Sequence, residues 1–86
     1  MKYAEARPYA DPEAAARRLM EIANGVEAVQ GVIHIEKING PMLFKDDATP
    51  AEYWAGLQFA ITNGWLTYDR SGTFVTFTPT GADLFA

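Results

Sequence analysis

The sequence contains no cysteine and a single histidine, His34. The first absence excludes disulfides, thiolate nucleophiles and thiolate metal sites. The second leaves little material for acid–base or metal chemistry. No glycine-rich phosphate loop is present. No segment approaches the length of a membrane span, and Met1-Lys2-Tyr3-Ala4-Glu5-Ala6-Arg7-Pro8 lacks the apolar run of a signal peptide. A soluble, cytoplasmic protein is therefore expected. Positive charge is scarce in the second half of the chain: from Asp46 onward Asp46, Asp47, Glu52, Asp69 and Asp83 face Arg70 alone, so this half carries the whole net charge of −4. Such a surface repels phosphate backbones.

What is present points to a packed domain. Eighty-six residues, 49% hydrophobic and 13% aromatic, suit one small domain with a core and leave no room for two. A domain of this size buries a modest fraction of its surface, so a partner subunit would add stability. Residues 1–10 have no clear period and are broken by Pro8, which reads as an extended N-terminal arm, loosely held as termini commonly are, with docking through Tyr3 and Tyr9 the less favoured alternative. Residues 11–86 read as the domain.

Asp11-Pro12-Glu13 is a helix start, with a capping side chain, proline at the first position and an acid in the first turn. Ala15, Leu19, Ile22, Ala23 and Val26 then recur at helical spacing as one buried stripe. Asn24-Gly25 offers a stop, while Val26 and Val29 stay in phase toward Gln30-Gly31. Val32-Ile33-His34-Ile35 reads as a short strand. Ile38-Asn39-Gly40-Pro41 is expected to break regular structure, and Met42-Leu43-Phe44 to plug the core ahead of a solvated loop, Lys45-Asp46-Asp47-Ala48.

The best-marked element is the next helix, 49–63. Thr49 is the N-cap, Pro50 takes the first turn, Glu52 completes a capping box, and Asn63-Gly64 supplies the stop. Tyr53, Gly56, Leu57 and Ala60 converge on one side at 100° per residue. Ala51, Trp54, Ala55, Gln58 and Thr62 are left for the outer positions, with Trp54 the apolar residue expected to be partly exposed and Phe59 at the core margin. Trp65-Leu66-Thr67-Tyr68 and Thr73-Phe74-Val75-Thr76-Phe77 flank the turn Asp69-Arg70-Ser71-Gly72 as a hairpin, with Trp65 expected in the core or on the hairpin face. Thr78-Pro79 opens a last short helix carrying Leu84 and Phe85. The fold class that follows is α+β, with helices packed on a short two- to three-stranded antiparallel sheet.

The run Ala60-Ile61-Thr62-Asn63-Gly64-Trp65-Leu66, the hairpin, and Phe77-Thr78-Pro79-Thr80-Gly81-Ala82-Asp83-Leu84 resemble the ending of many bacterial regulators of the MarR and PadR type within the winged helix-turn-helix superfamily. The resemblance covers about the last third of the chain closely and the rest in outline. It implies a small winged-helix-like domain in which helix 49–63 is the recognition helix and hairpin 65–78 the wing. This sequence departs from the pattern in two places. The outer positions of helix 49–63 hold no lysine or arginine, and Gly40-Pro41 falls where the preceding helix of the motif belongs. Gln58 and Arg70 are the candidate nucleic-acid contacts under that reading, and two contacts fall short of a DNA footprint.

Other candidate chemistry is thin. His34 and Glu36, two apart on the expected strand, would share a face and could hold a metal or form a base with its orienter, but no third ligand stands at diagnostic spacing. Asp46-Asp47 lacks the oxygen-rich loop of a calcium site, and Ser71 is a turn residue without a histidine nearby in sequence. Arg17, Arg18, Lys37 and Lys45 would form a basic strip only if the fold brought them together. No cofactor and no catalytic role are expected. The leading expectation is a protein-interaction or self-association module presenting Trp54, Gln58, Ala51, Ala55 and Thr62, with DNA the less favoured partner and no membrane association.

Overall fold

The computed structural model describes residues 7–26 and 31–85. Four helices and three strands follow in the order α1 (Pro12–Gly25), β1 (Ile33–His34), α2 (Glu36–Phe44), α3 (Pro50–Thr62), β2 (Leu66–Tyr68), β3 (Phe74–Phe77) and α4 (Pro79–Asp83). The class is α+β, and the sheet is antiparallel with strand order β1-β3-β2. Tyr3 and Val29 lie outside the described residues, as does most of the expected arm. Within its described part, Tyr9 packs against the core.

Helix α1 starts where the sequence places it. The Asp11 carboxylate accepts the Glu13 N–H at 3.3 Å, and the helix ends at Gly25, with Val26 extended behind it. Its buried face is Ala15, Ala16, Leu19, Met20 and Ala23. The expected stripe is thus displaced: Ile22 and Val26 are half-buried, and Ala16 and Met20 take the centre. Small residues at this centre let α3 approach closely.

Helix α2 corrects the reading of Ile38-Asn39-Gly40-Pro41 as a break. Nine residues are helical through that stretch, with Pro41 inside. Interior proline costs about 3 kcal/mol. Against this, Ile38 and Met42, four residues apart, are both fully buried, and each stabilises by about 1.5–3 kcal/mol. Burial wins, and the helix forms over a sequence of poor propensity. The same helix shortens the expected strand to Ile33–His34, since Ile35 already serves as the α2 N-cap. Met42-Leu43-Phe44 divides likewise. Met42 is in the core and Leu43 packs against it, whereas Phe44 is 84% exposed, so it does not plug the core.

Helix α3 has the expected capping box. Glu52 N–H donates to Thr49 Oγ1 at 3.0 Å, and Thr49 N–H donates to Glu52 Oε1 at 2.9 Å. Tyr53, Gly56, Leu57 and Ala60 are its buried residues. After Gly64, whose φ of 74° suits glycine, β2 and β3 form the hairpin with Leu66 opposite Phe77 and Tyr68 opposite Val75. Val75 also faces Ile33 of β1, so the central strand puts a fully buried side chain between both neighbours. Thr78 caps α4 by accepting the Gly81 N–H at 2.9 Å. That helix stops at Asp83, so Leu84 and Phe85 follow it rather than lying within it. Phe85 tilts against Phe77 with ring centroids 6.2 Å apart.

Candidate interaction surface

The outer side of α3 is built by the phase that buries its inner side. With Tyr53, Gly56, Leu57 and Ala60 inward, Ala51, Trp54, Gln58 and Thr62 are exposed and Ala55 is half-buried. These five positions hold no ionisable group. Trp54 is 50% exposed. Its ring makes a T-shaped contact with Tyr68 of β2, 6.5 Å between centroids and 70° between planes, so the indole meets the hairpin with about half of the residue left open to solvent. Trp65, by contrast, is buried at 8% exposure, edge-on to Phe59, with the Arg17 guanidinium 5.3 Å from its ring centre.

Glu52 is the one acid on α3 and it is occupied. Arg7 Nε donates to its carboxylate at 2.7 Å and Nη2 at 3.1 Å, while Thr49 N–H donates to Oε1 at 2.9 Å. The Arg7 bond, then that from Thr49, hold the Glu52 carboxyl below its usual range. This contact joins residues 45 apart and has no local sequence signal.

The other cations sort into two groups. Arg17 pairs with Glu13 at 2.9 Å. Arg18 donates to Asp46 at 2.7 Å and to Glu21 at 3.1 Å, and these bonds, Asp46 first, raise its pKa. The arginines of the strip considered from sequence are therefore held by carboxylates. Lys37 and Lys45, at opposite ends of α2, and Arg70, in the hairpin turn, are exposed and have no ion-pair partner among the described residues.

His34 and Glu36 are both exposed, but the shared strand face expected of them does not exist. His34 ends β1, opposite Phe74, and Glu36 opens α2. They line a cleft of about 430 Å³ with Ile35, Gly72 and Thr73. Among the described residues no group of three or more His, Cys, Asp or Glu is placed to hold a metal. Asp46 is taken by Arg18, and the Asp47 carbonyl accepts from Arg7 at 2.6 Å. Ser71 is bound into the turn, donating its N–H to Asp69 at 2.8 Å and sharing a 2.7 Å hydroxyl contact with Thr73. Hydrogen bonding from Ser71, its side chain first and then its N–H, holds the Asp69 carboxyl below its usual range.

Two features escaped the sequence reading. Phe44 exposes more of its side chain than any other large hydrophobic residue described. The Tyr53 hydroxyl is buried without a hydrogen-bond partner among the described residues, and burial pushes its pKa up to about 12. No described helix is long and apolar enough to cross a membrane. No protein-family model, curated protein or solved structure matches the chain.

Proposed function

We propose that this chain is a non-catalytic, winged-helix-like module that binds protein through the outer face of α3. The element order and the β1-β3-β2 sheet support the winged-helix reading. So does α2, which supplies a helix ahead of α3 where Gly40-Pro41 was expected to erase one. The observation that carries the protein-binding reading is Trp54, half exposed at the edge of a helix face without charge. Exposed tryptophan is enriched at interface hot spots. A DNA-binding face needs several cations aligned with phosphates. Here Arg7, Arg17 and Arg18 are committed to carboxylates.

The test places a benzophenone amino acid at exposed Thr62, on the same face and with Trp54 kept, in the full chain and irradiates cells that make it. A covalent adduct with protein, absent when the probe sits at exposed Thr80, is the expected result. No protein adduct at position 62 would overturn the reading.

DNA binding through α3 and the hairpin is the second reading, favoured by Lys37, Lys45 and Arg70, which are exposed and have no ion-pair partner among the described residues. Fluorescence anisotropy with mixed duplexes at low salt tests it. Saturable binding that weakens with salt and with Arg70→Ala would put it first.

A further inference from the structure

We infer that the partner of the α3 outer face is a second copy of this chain, bound about a two-fold axis. The inference rests on the protein-binding reading and commits it to one occupant.

Charge selects the face. Each copy carries a net charge of −4, and two like-charged surfaces resist apposition. The exposed line Ala51, Trp54, Gln58 and Thr62, with Ala55 beside it, has no ionisable group, and the neighbouring Glu52 is neutralised by Arg7. Two copies can meet there without setting carboxylate against carboxylate.

Chemistry then makes the face complementary to itself. A two-fold interface brings the same patch against itself, so it must contain both what protrudes and what receives. Trp54 protrudes beside the shallow positions Ala51 and Ala55. Gln58 lies between them in helical phase, 40° around from Trp54, and its amide both donates and accepts. Across a two-fold axis Gln58 can bond its own counterpart in both directions. Neutral polar side chains that both donate and accept can pair in this way, whereas a lysine or glutamate there would meet its own charge.

Size sets the strength. A helix of 13 residues is about 20 Å long, and one such face, with the adjoining ring of Tyr68, falls short of the roughly 800 Å² per partner of a standard stable interface. The dimer is therefore weak and reversible, and added salt should not weaken it: no ion pair crosses the face, and screening relieves the repulsion between two chains of net charge −4.

Sedimentation velocity of the full chain over a wide concentration range tests this. The wild-type mass is expected to rise with concentration toward twice the monomer, and not to fall when salt is added. Gln58→Glu and Gln58→Lys are each expected to stay monomeric where the wild type dimerises. Mixed in equal amounts, they should re-form a dimer, because opposite charges then meet at the axis. Trp54→Ala should weaken association by tenfold or more. Circular dichroism checks that each variant is folded, and both positions are exposed, so folding should survive. A wild type that is monomeric throughout overturns the inference, as does a dimer untouched by Gln58→Glu and Trp54→Ala. If the chain is monomeric while the benzophenone at position 62 traps a foreign protein, this inference falls and the protein-binding reading stands; if it traps nothing, both fall.

Discussion

Gly56 of α3 lies against Ala15 of α1 so closely that a Cβ on Gly56 would stand 2.8 Å from the Ala15 Cβ and 2.9 Å from its carbonyl carbon. The two helices cross there, and they carry much of the core: Ala15, Ala16, Leu19 and Met20 from one side, Tyr53, Leu57 and Ala60 from the other. Gly56→Ala sets two effects in opposition. Alanine is worth about 1 kcal/mol more than glycine in a helix, and overpacking costs about 1–3 kcal/mol. The near atoms include backbone, which cannot rotate away, so the overpacking term wins. Urea denaturation should show Gly56→Ala destabilised by about 1–2 kcal/mol. Ala15→Gly added to it should restore only part of this, since Ala16 N also lies 3.0 Å from the new methyl. An unchanged or raised midpoint for Gly56→Ala would show that parting the helices costs no more than the roughly 1 kcal/mol that alanine gains in the helix.

Tyr53 presents a buried hydroxyl with no partner among the described residues. A buried unsatisfied polar group costs about 1–3 kcal/mol. Tyr53→Phe keeps the ring and removes the oxygen, so it is expected to stabilise the fold by roughly 1 kcal/mol, or about 4–8 °C in Tm for a domain of this size. A lower Tm would mean that the hydroxyl is bonded in solution.

The same residue makes stability depend on alkaline pH. Burial, with a smaller contribution from nearby Tyr68, pushes the folded-state pKa from 10.0 up to about 12. Between these values the unfolded chain has released the proton and the folded chain still holds it. The unfolded state binds fewer protons, so unfolding becomes easier as pH rises. The contribution of Tyr53 is intact below about pH 10 and is lost progressively toward about pH 12. Urea midpoints measured across this range should fall more steeply for the wild type than for Tyr53→Phe. Parallel slopes would remove Tyr53 as the source.

Much of this was legible in the sequence where local signals agreed. In α3 the capping box, proline and helical period all point one way, and the buried set Tyr53, Gly56, Leu57 and Ala60 follows with Trp54 half exposed. α2 was hidden because Gly40-Pro41 speaks against a helix and only Ile38 and Met42, four apart, speak for one. With that helix unread, Phe44 was grouped with its apolar neighbours. In helical phase it lies 200° around from Met42, which is why it points to water. Glu36 was misplaced for the same reason, since a residue assigned to a strand opens a helix instead. The Arg7–Glu52 bond depends on chain segments meeting in space, and no window of sequence contains it.

Phe44 offers a control on these energetics. At 84% exposed its ring gains almost nothing from the core, so Phe44→Ser should change stability by no more than about 0.5 kcal/mol, while Met42→Ala, fully buried two residues earlier, should cost about 2–5 kcal/mol. Thermal melts of the two variants side by side check the contrast. A large loss for Phe44→Ser would show that the ring is covered in solution, most simply by another molecule, and the loss would then depend on protein concentration.

Gly81 is the tightest of the described glycines. A Cβ there would lie 2.0 Å from the Trp65 carbonyl oxygen, 2.9 Å from its carbonyl carbon and 3.2 Å from the Met20 methyl. The same oxygen accepts from Thr78 N–H at 3.1 Å and is within 3.1 Å of the Thr78 hydroxyl. It is therefore fixed at the point where α4 docks onto the start of β2. Gly81→Ala must push α4 off this seat, breaking the Thr78 contacts and loosening Phe85 from Phe77. A loss of about 3 kcal/mol or more is expected, at the upper end of overpacking costs. Because α4 is short and terminal, the damage should be local as well as global. Hydrogen exchange should show β2 and β3 losing protection in Gly81→Ala, while α1 and α3 exchange only through global unfolding. Uniform loss across all elements would instead mean that α4 is part of the same cooperative unit as the helical core.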